Sequence, residues 1–154
     1  MAAAEISFDL KELDGLAKLI DKAKLSSQDR RQLLANIGVK IESQTQERFD
    51  SQVDPKGNRW KDLADKTKQY YAKYFPGQRR SILVGSGGLR DSIESQVDDW
   101  SVLVGATKVY AATHQFGRDN IPARPYLGIS TSNADEIMMI AERFLAERVT
   151  RGAA

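Results

Sequence analysis

The sequence predicts an α+β domain made of two N-terminal helices, a loop-rich basic middle segment, a small antiparallel sheet or hairpin, and a C-terminal helix. Three observations carry that expectation. Apolar residues recur at helical spacing at both ends of the chain, they alternate in steps of two around Asp98-Asp99, and proline and glycine punctuate what lies between. At 154 residues the chain is most simply one domain, 1–154, long enough to bury a core, with residues 53–88 as a candidate projection.

Each element has its reason. Leu10, Leu13, Leu16, Ala17, Ile20 and Ala23 mark an amphipathic helix over roughly 9–25, with Gly15 as its weak point. Ser26 or Ser27 then caps a second helix whose stripe is Leu33, Leu34, Ile37 and Ile41, running to about Phe49. The polar stretch Glu42 to Arg48 suggests that its far end is solvated or meets a partner. Asp54-Pro55-Lys56-Gly57 has the residues of a type I turn, each in the position its sterics favour. Asp65 is placed to cap a short helix through Tyr74, which Phe75-Pro76-Gly77 breaks. Leu89 to Ile93 fits one helical turn. Ile93, Ser95 and Val97 alternate, as do Trp100, Val102 and Val104, so the two runs read as a hairpin. Tyr110 to Gln115 suits either helix or strand. The final helix starts near Asn133 and carries Ile137, Ile140, Ala141, Phe144 and Leu145 on one face.

Composition excludes several classes. An apolar fraction of 41% and a charged fraction of 29% belong to a globular chain, not a disordered one. The absence of cysteine rules out disulfides, thiolate metal sites and cysteine nucleophiles. The start lacks the basic and apolar regions of a secretory signal, and no apolar run approaches the ~20 residues of a membrane span, so a soluble protein made in the cytoplasm is expected, with no membrane partner.

The stretch from His114 to Gly128 combines two prolines, two glycines, the only histidine and two aromatics. Prolines at 122 and 125 push Ile121 and Arg124 toward extended conformations, so this is a stiff arm holding Arg124 between two prolines. Gln115, Phe116, Ile121, Arg124, Tyr126 and Leu127 are the candidate interface residues. Two arrangements are open. Either the arm packs on a neighbouring subunit, with Tyr126 and Leu127 buried there and Arg124 paired to a carboxylate, or it packs on its own domain, with Arg124 on local carbonyls.

Catalysis finds little support. His114 would need an orienting acid and a nucleophile; Asp119 is close in sequence, but no serine has a nucleophile-elbow context. Gly85-Ser86-Gly87-Gly88 lacks the lysine and glycine spacing of a phosphate loop and reads as a hinge. No enzyme, cofactor, metal or small-molecule substrate is expected.

Charge is concentrated in the middle. Residues 56–80 hold eight basic residues against two acidic ones, a balance of +6 in a chain of net +2, which leaves −4 elsewhere. Tyr70, Tyr71, Tyr74 and Phe75 are interleaved with these charges. Three readings stay open: a solvated helix with its tyrosines on the core, a protein interface, or DNA contact through backbone charge and base stacking. Lys66, Lys68, Lys73, Arg79 and Arg80 are the candidate partner or DNA contacts.

Four blocks in this order resemble a known family: Asp54-Pro55 with Gly57, Trp60 and Leu63; Ile82-Leu83 with Gly88 to Ile93; Tyr110-Ala111 with His114 to Gly117; and Ile121 to Gly128. They are similar to the phage virion morphogenesis family, which includes the tail-completion proteins of contractile-tailed phages and a related protein of Mu-like phages. The chain departs from the family pattern at Ser86-Gly87-Gly88, where a threonine usually precedes the glycine. The resemblance implies a structural virion protein at the head–tail junction, assembled in the host cytoplasm. It further implies a homo-oligomeric ring, a hexamer as one order, touching other neck or tail proteins and meeting DNA only by passage or weak contact. A DNA-binding accessory protein using residues 56–80 is the alternative.

Overall fold

A computed structural model describes residues 4–9, 14–78 and 80–152, and it is an α+β fold. Strand β1 (Ala4–Asp9) is followed by helices α1 (Asp14–Ala23), α2 (Ser27–Ser51) and α3 (Asp65–Tyr74). A 3-10 turn at Arg90–Ser92 leads into β2 (Ile93–Val97) and β3 (Ser101–Ala106). Helices α4 (Ala111–Phe116) and α5 (Thr131–Gly152) complete the order.

The hairpin forms where the alternation places it. Asp98 closes its turn, with Oδ1 accepting the amides of Trp100 (2.8 Å) and Ser101 (2.6 Å). Those bonds, with that from the Ser101 hydroxyl, hold the Asp98 carboxyl below the usual carboxylate range. Trp100 therefore belongs to the turn, not the strand, and β3 begins one residue later than the alternation suggests. The sheet has a third, antiparallel strand that the sequence reading did not assign: β1 pairs β3 from Ala4↔Ala106 to Asp9↔Ser101, giving the order β1-β3-β2. The alternation Glu5-Ile6-Ser7-Phe8-Asp9 carried that signal. The predicted helix over 9–25 is correspondingly shorter, and Leu10 and Leu13 lie outside the described residues.

Helix α2 lies against β2 and β3 and also against α5. Its approach to the sheet depends on Gly38, where a Cβ would come within 3.0 Å of both Ser95 Cβ and Val102 Cγ2. Ser26 is the cap, accepting the Asp29 amide at 3.0 Å. The far end of α2 is not solvated: Gln44, Thr45 and Arg48 are buried, because α5 and the arm cover it. On α5, Ile137, Ala141 and Phe144 are buried and Ile140 and Leu145 half-buried, as the stripe predicts. That helix starts at Thr131, two residues early, because Ser130 and Asn133 exchange side-chain and backbone hydrogen bonds at 3.1 and 3.2 Å.

Candidate functional site

The arm and the 54–57 turn converge on the end of α2. Asp54 holds its turn by accepting the amides of Lys56 (2.8 Å) and Asn58 (2.9 Å), and Gly57 supplies the positive φ of 83°. The chain then returns so that the Trp60 amide meets the Gln52 carbonyl at 2.9 Å. Trp60 stacks edge-on to Phe49 at 5.4 Å and donates from its indole to the Pro125 carbonyl at 2.8 Å. Tyr126 lies 5.3 Å from Phe49 on another side, wholly buried, its hydroxyl donating to the Ala111 carbonyl at 3.0 Å. Burial pushes the Tyr126 phenol far above its ordinary range, so it stays a neutral donor.

Three polar side chains hold the arm against this aromatic centre. The Gln115 amide oxygen accepts both the Tyr126 and Leu127 amides at 3.0 Å, while its NH2 donates to the Leu127 carbonyl at 3.1 Å. Arg48 donates to the Tyr126 carbonyl at 2.7 Å and to Asn133 at 2.5 Å. Arg124 donates from Nε to the Lys61 carbonyl (2.6 Å) and from Nη2 to the Asp62 carbonyl (2.7 Å). Burial lowers the affinity of both guanidiniums for their protons, but an arginine keeps its charge in a protein. Gly128 completes the fit, since a Cβ there would stand 2.6 Å from Pro55 Cγ.

This geometry corrects the interface expectation for four of its six residues. Gln115, Arg124, Tyr126 and Leu127 are turned into their own domain, and Arg124 meets carbonyls in place of a carboxylate. A stiff proline-framed segment is needed here to bring an arginine and a tyrosine to fixed points of the core. Only Phe116 (69% exposed) and Ile121 (43% exposed) face outward, on either side of a tight turn closed by the Arg118↔Ile121 bridge. Tyr110 to Gln115 resolves as helix, in α4. Arg48, on the helix end expected to be solvated or to meet a partner, belongs to the same centre; a lone arginine beside Phe49 before a turn is its only sign in the sequence.

Helix α3 is built in the opposite way. Ala64, not Asp65, precedes it without a side-chain cap, and it has no buried residue. The expectation of tyrosines on the core fails: Tyr70 and Tyr74 are more than half exposed. They pack on each other at 4.8 Å, with Lys73 over Tyr74 and Arg80 over Phe75 at 4.4 Å. Lys66, Lys68 and Lys73 are exposed, Lys68 being paired with Asp62 at 2.6 Å; Arg79 lies outside the described residues. A further cation–π pair, Arg30 over Trp100 at 3.7 Å, joins α2 to the hairpin turn.

Among the described residues no catalytic group assembles around His114. Asp119 is exposed and leans on Arg118 at 3.7 Å, away from any role as an orienting acid. Burial first, and the Arg124 charge second, lower the imidazole pKa, favouring the neutral form. Among the described residues no group of three or more histidine, aspartate or glutamate side chains is placed to hold a metal, and no helix is long and apolar enough to cross a membrane.

Comparison with known proteins follows the same residues. Positions 11–146 match the phage virion morphogenesis family. The Mu-like prophage FluMu G protein 1 of Haemophilus influenzae is 32% identical over 121 residues, covering 77% of this chain and 82% of that protein. The putative capsid assembly protein G of Escherichia phage Mu is 33% identical over 106 residues, covering 62% of this chain and 66% of the relative. No solved structure matches.

Proposed function

The chain belongs to the phage virion morphogenesis family, and on that premise we propose that it is a structural protein of the head–tail junction that completes the tail so that head and tail join stably. The coarser role, phage virion assembly, comes with the family itself. The observation that carries the finer reading is helix α3: ten residues that bury none of their side chains yet gather aromatic and cationic groups on one exposed element. The tyrosines are among the side chains that dominate protein–protein contacts. The outward-facing Phe116 and Ile121 add a second contact surface. A charge of +6 on residues 56–80 against −4 elsewhere supports head-to-tail pairing of copies, the heterologous arrangement that closes into a ring.

The relative in phage Mu bears the name of a capsid assembly protein, which sets up the competing reading of a role in building the head. Electron microscopy of lysates from a phage with this gene inactivated separates the two. DNA-filled heads and free tails lying apart are expected; missing or malformed heads would overturn the junction reading. The DNA-binding alternative is favoured by the exposed tyrosines and lysines of α3, and it predicts steeply salt-dependent retention on DNA. A junction protein working through protein contacts is expected to bind DNA weakly at every salt concentration.

A further inference from the structure

A cleft of about 260 Å³ opens between the start of the 80–89 loop, α4 and the arm, and Arg80, His114 and Arg124 all line it. It contains no aspartate or glutamate. Neither arginine forms an ion pair among the described residues, and Asp62, whose charge reaches Arg124, is held by Lys68. Arg124 is 6% exposed and fixed by two carbonyls, so its charge is immobile at the cleft wall. Arg80 is fixed as well, stacked on Phe75 and Tyr71 and donating to Gln78 at 3.1 Å.

Two nitrogens of these residues are left over. Arg80 Nε and His114 Nδ1 are buried and have no hydrogen-bond partner among the described residues. A buried polar atom without a partner costs free energy, and two on residues that line one cleft mark an unfinished polar site. The backbone beside them is also strained at Leu83, a lining residue with φ of 60°, while Gly85 and Gly87 take φ of 44° and 85° without steric cost. Strain of this kind persists where the surroundings impose it, and it clusters at binding sites. Gly88 keeps the wall open, since a Cβ there would stand 3.3 Å from the Tyr110 hydroxyl.

We propose that this cleft binds the carboxylate of an acidic side chain from a partner protein, seated between Arg80 and Arg124 with His114, as its Nδ1–H tautomer, completing the donor set. Two fixed positive charges in a lining that holds no acid select an anion. The apolar part of the lining, Leu63, Tyr71, Leu83 and Val84, fits the methylene stem of a glutamate or an apolar neighbour. The volume is below the roughly 300–1,000 Å³ of small-molecule sites and suits one inserted side chain. A DNA phosphate, carried on a convex backbone between sugars, does not enter such a cleft. The inference stands apart from the protein's position in the virion, because it concerns a chemistry measurable on the isolated chain.

His114 is the sole histidine, so its imidazole gives a single NMR reporter inside the cleft. The full-length protein is titrated with an acetylated, amidated leucyl-glutamyl-leucine peptide, its glutaminyl counterpart, and inorganic phosphate. A saturable shift of the imidazole signal with the glutamyl peptide alone is expected. Arg80→Gln should raise the apparent Kd by about tenfold, the scale of one charge-assisted contact, while Lys66→Gln on α3 leaves it unchanged. Equal responses to the two peptides, no saturable response, or tighter saturation by phosphate would each overturn the proposal. Should Arg80→Gln fail to fold, the comparison of the two peptides on the unaltered protein decides.

Discussion

The centre around Arg124 and Tyr126 and the helix α3 use similar residues to opposite ends. In the first, tyrosine, tryptophan and arginine are buried and every donor named above meets a carbonyl or an amide oxygen. In the second, tyrosines, a phenylalanine and cations meet one another on or beside a largely exposed helix that has no fully buried residue. The two are joined by only a few residues, since Arg124 holds the carbonyls of Lys61 and Asp62 just before α3 begins. The contrast teaches that the arm's unusual composition serves to anchor the base of α3. The anchored helix and the 116–121 turn are the surfaces proposed above for a partner.

The comparison breaks most readily at its buried side. Tyr126→Ala should cost about 3–5 kcal/mol, the range for emptying a large aromatic site, because it opens a cavity beside Phe49 and strands the Ala111 carbonyl. A denaturant midpoint lowered by less than a quarter of that would show that Tyr126 is not at the centre. Arg124→Met should cost about 2 kcal/mol by leaving the Lys61 and Asp62 carbonyls unpaired, and it should hasten proteolysis between Val53 and Gly88 by freeing the base of α3. A variant as stable as the parent that nonetheless blocked head–tail joining would return Arg124 to an interface.

Much of this was legible in the chain, and the rest was hidden for physical reasons. Periodicity placed α2, α5 and the hairpin because each has one apolar face turned to a single core. It said nothing useful about Gln44 and Arg48, since burial of these polar residues depends on partners 92 and 78 positions away. The arm's stiffness was readable from Pro122 and Pro125, but stiffness does not reveal which surface it is pressed against. Strand β1 was missed although its alternation is clear, because an edge strand needs a partner that lies beyond residue 100. Tyrosines interleaved with lysines were compatible with either burial or exposure, and only the absence of a covering element decides.

The cleft shared by the two regions gives a smaller, pH-dependent effect. The folded His114 imidazole titrates below its ordinary value of 6.5, through burial and then the Arg124 charge. The unfolded chain therefore binds this proton more readily, and stability rises with pH across the interval between the folded and unfolded values. The His114 contribution is fully present above the ordinary histidine value, falls as pH drops through it, and levels off below the folded one. Comparing denaturation at about pH 7.5 and 5.5 in the parent and in His114→Gln isolates it, since the variant should lose that part of the difference. An NMR titration midpoint at or above the ordinary value would contradict the burial described here.

The smallest effect on stability is expected where the effect on assembly should be largest. Tyr70→Ser with Tyr74→Ser removes the paired rings at 4.8 Å, but both side chains are more than half exposed and α3 contributes no buried residue. Exposed substitutions of this kind stay within about 0.5 kcal/mol, so the thermal or denaturant midpoint should hardly move. Complementation of a phage lacking the gene should nevertheless yield fewer joined particles, because aromatic side chains on an exposed helix supply most of what a docking partner could bury. The two measurements sort the outcomes. A double variant that loses more than about 1 kcal/mol would make α3 part of its own core and end the contrast with the arm. One that is fully stable and fully complementing would leave α3 exposed without a contact and shift the candidate surface to Phe116 and Ile121 alone.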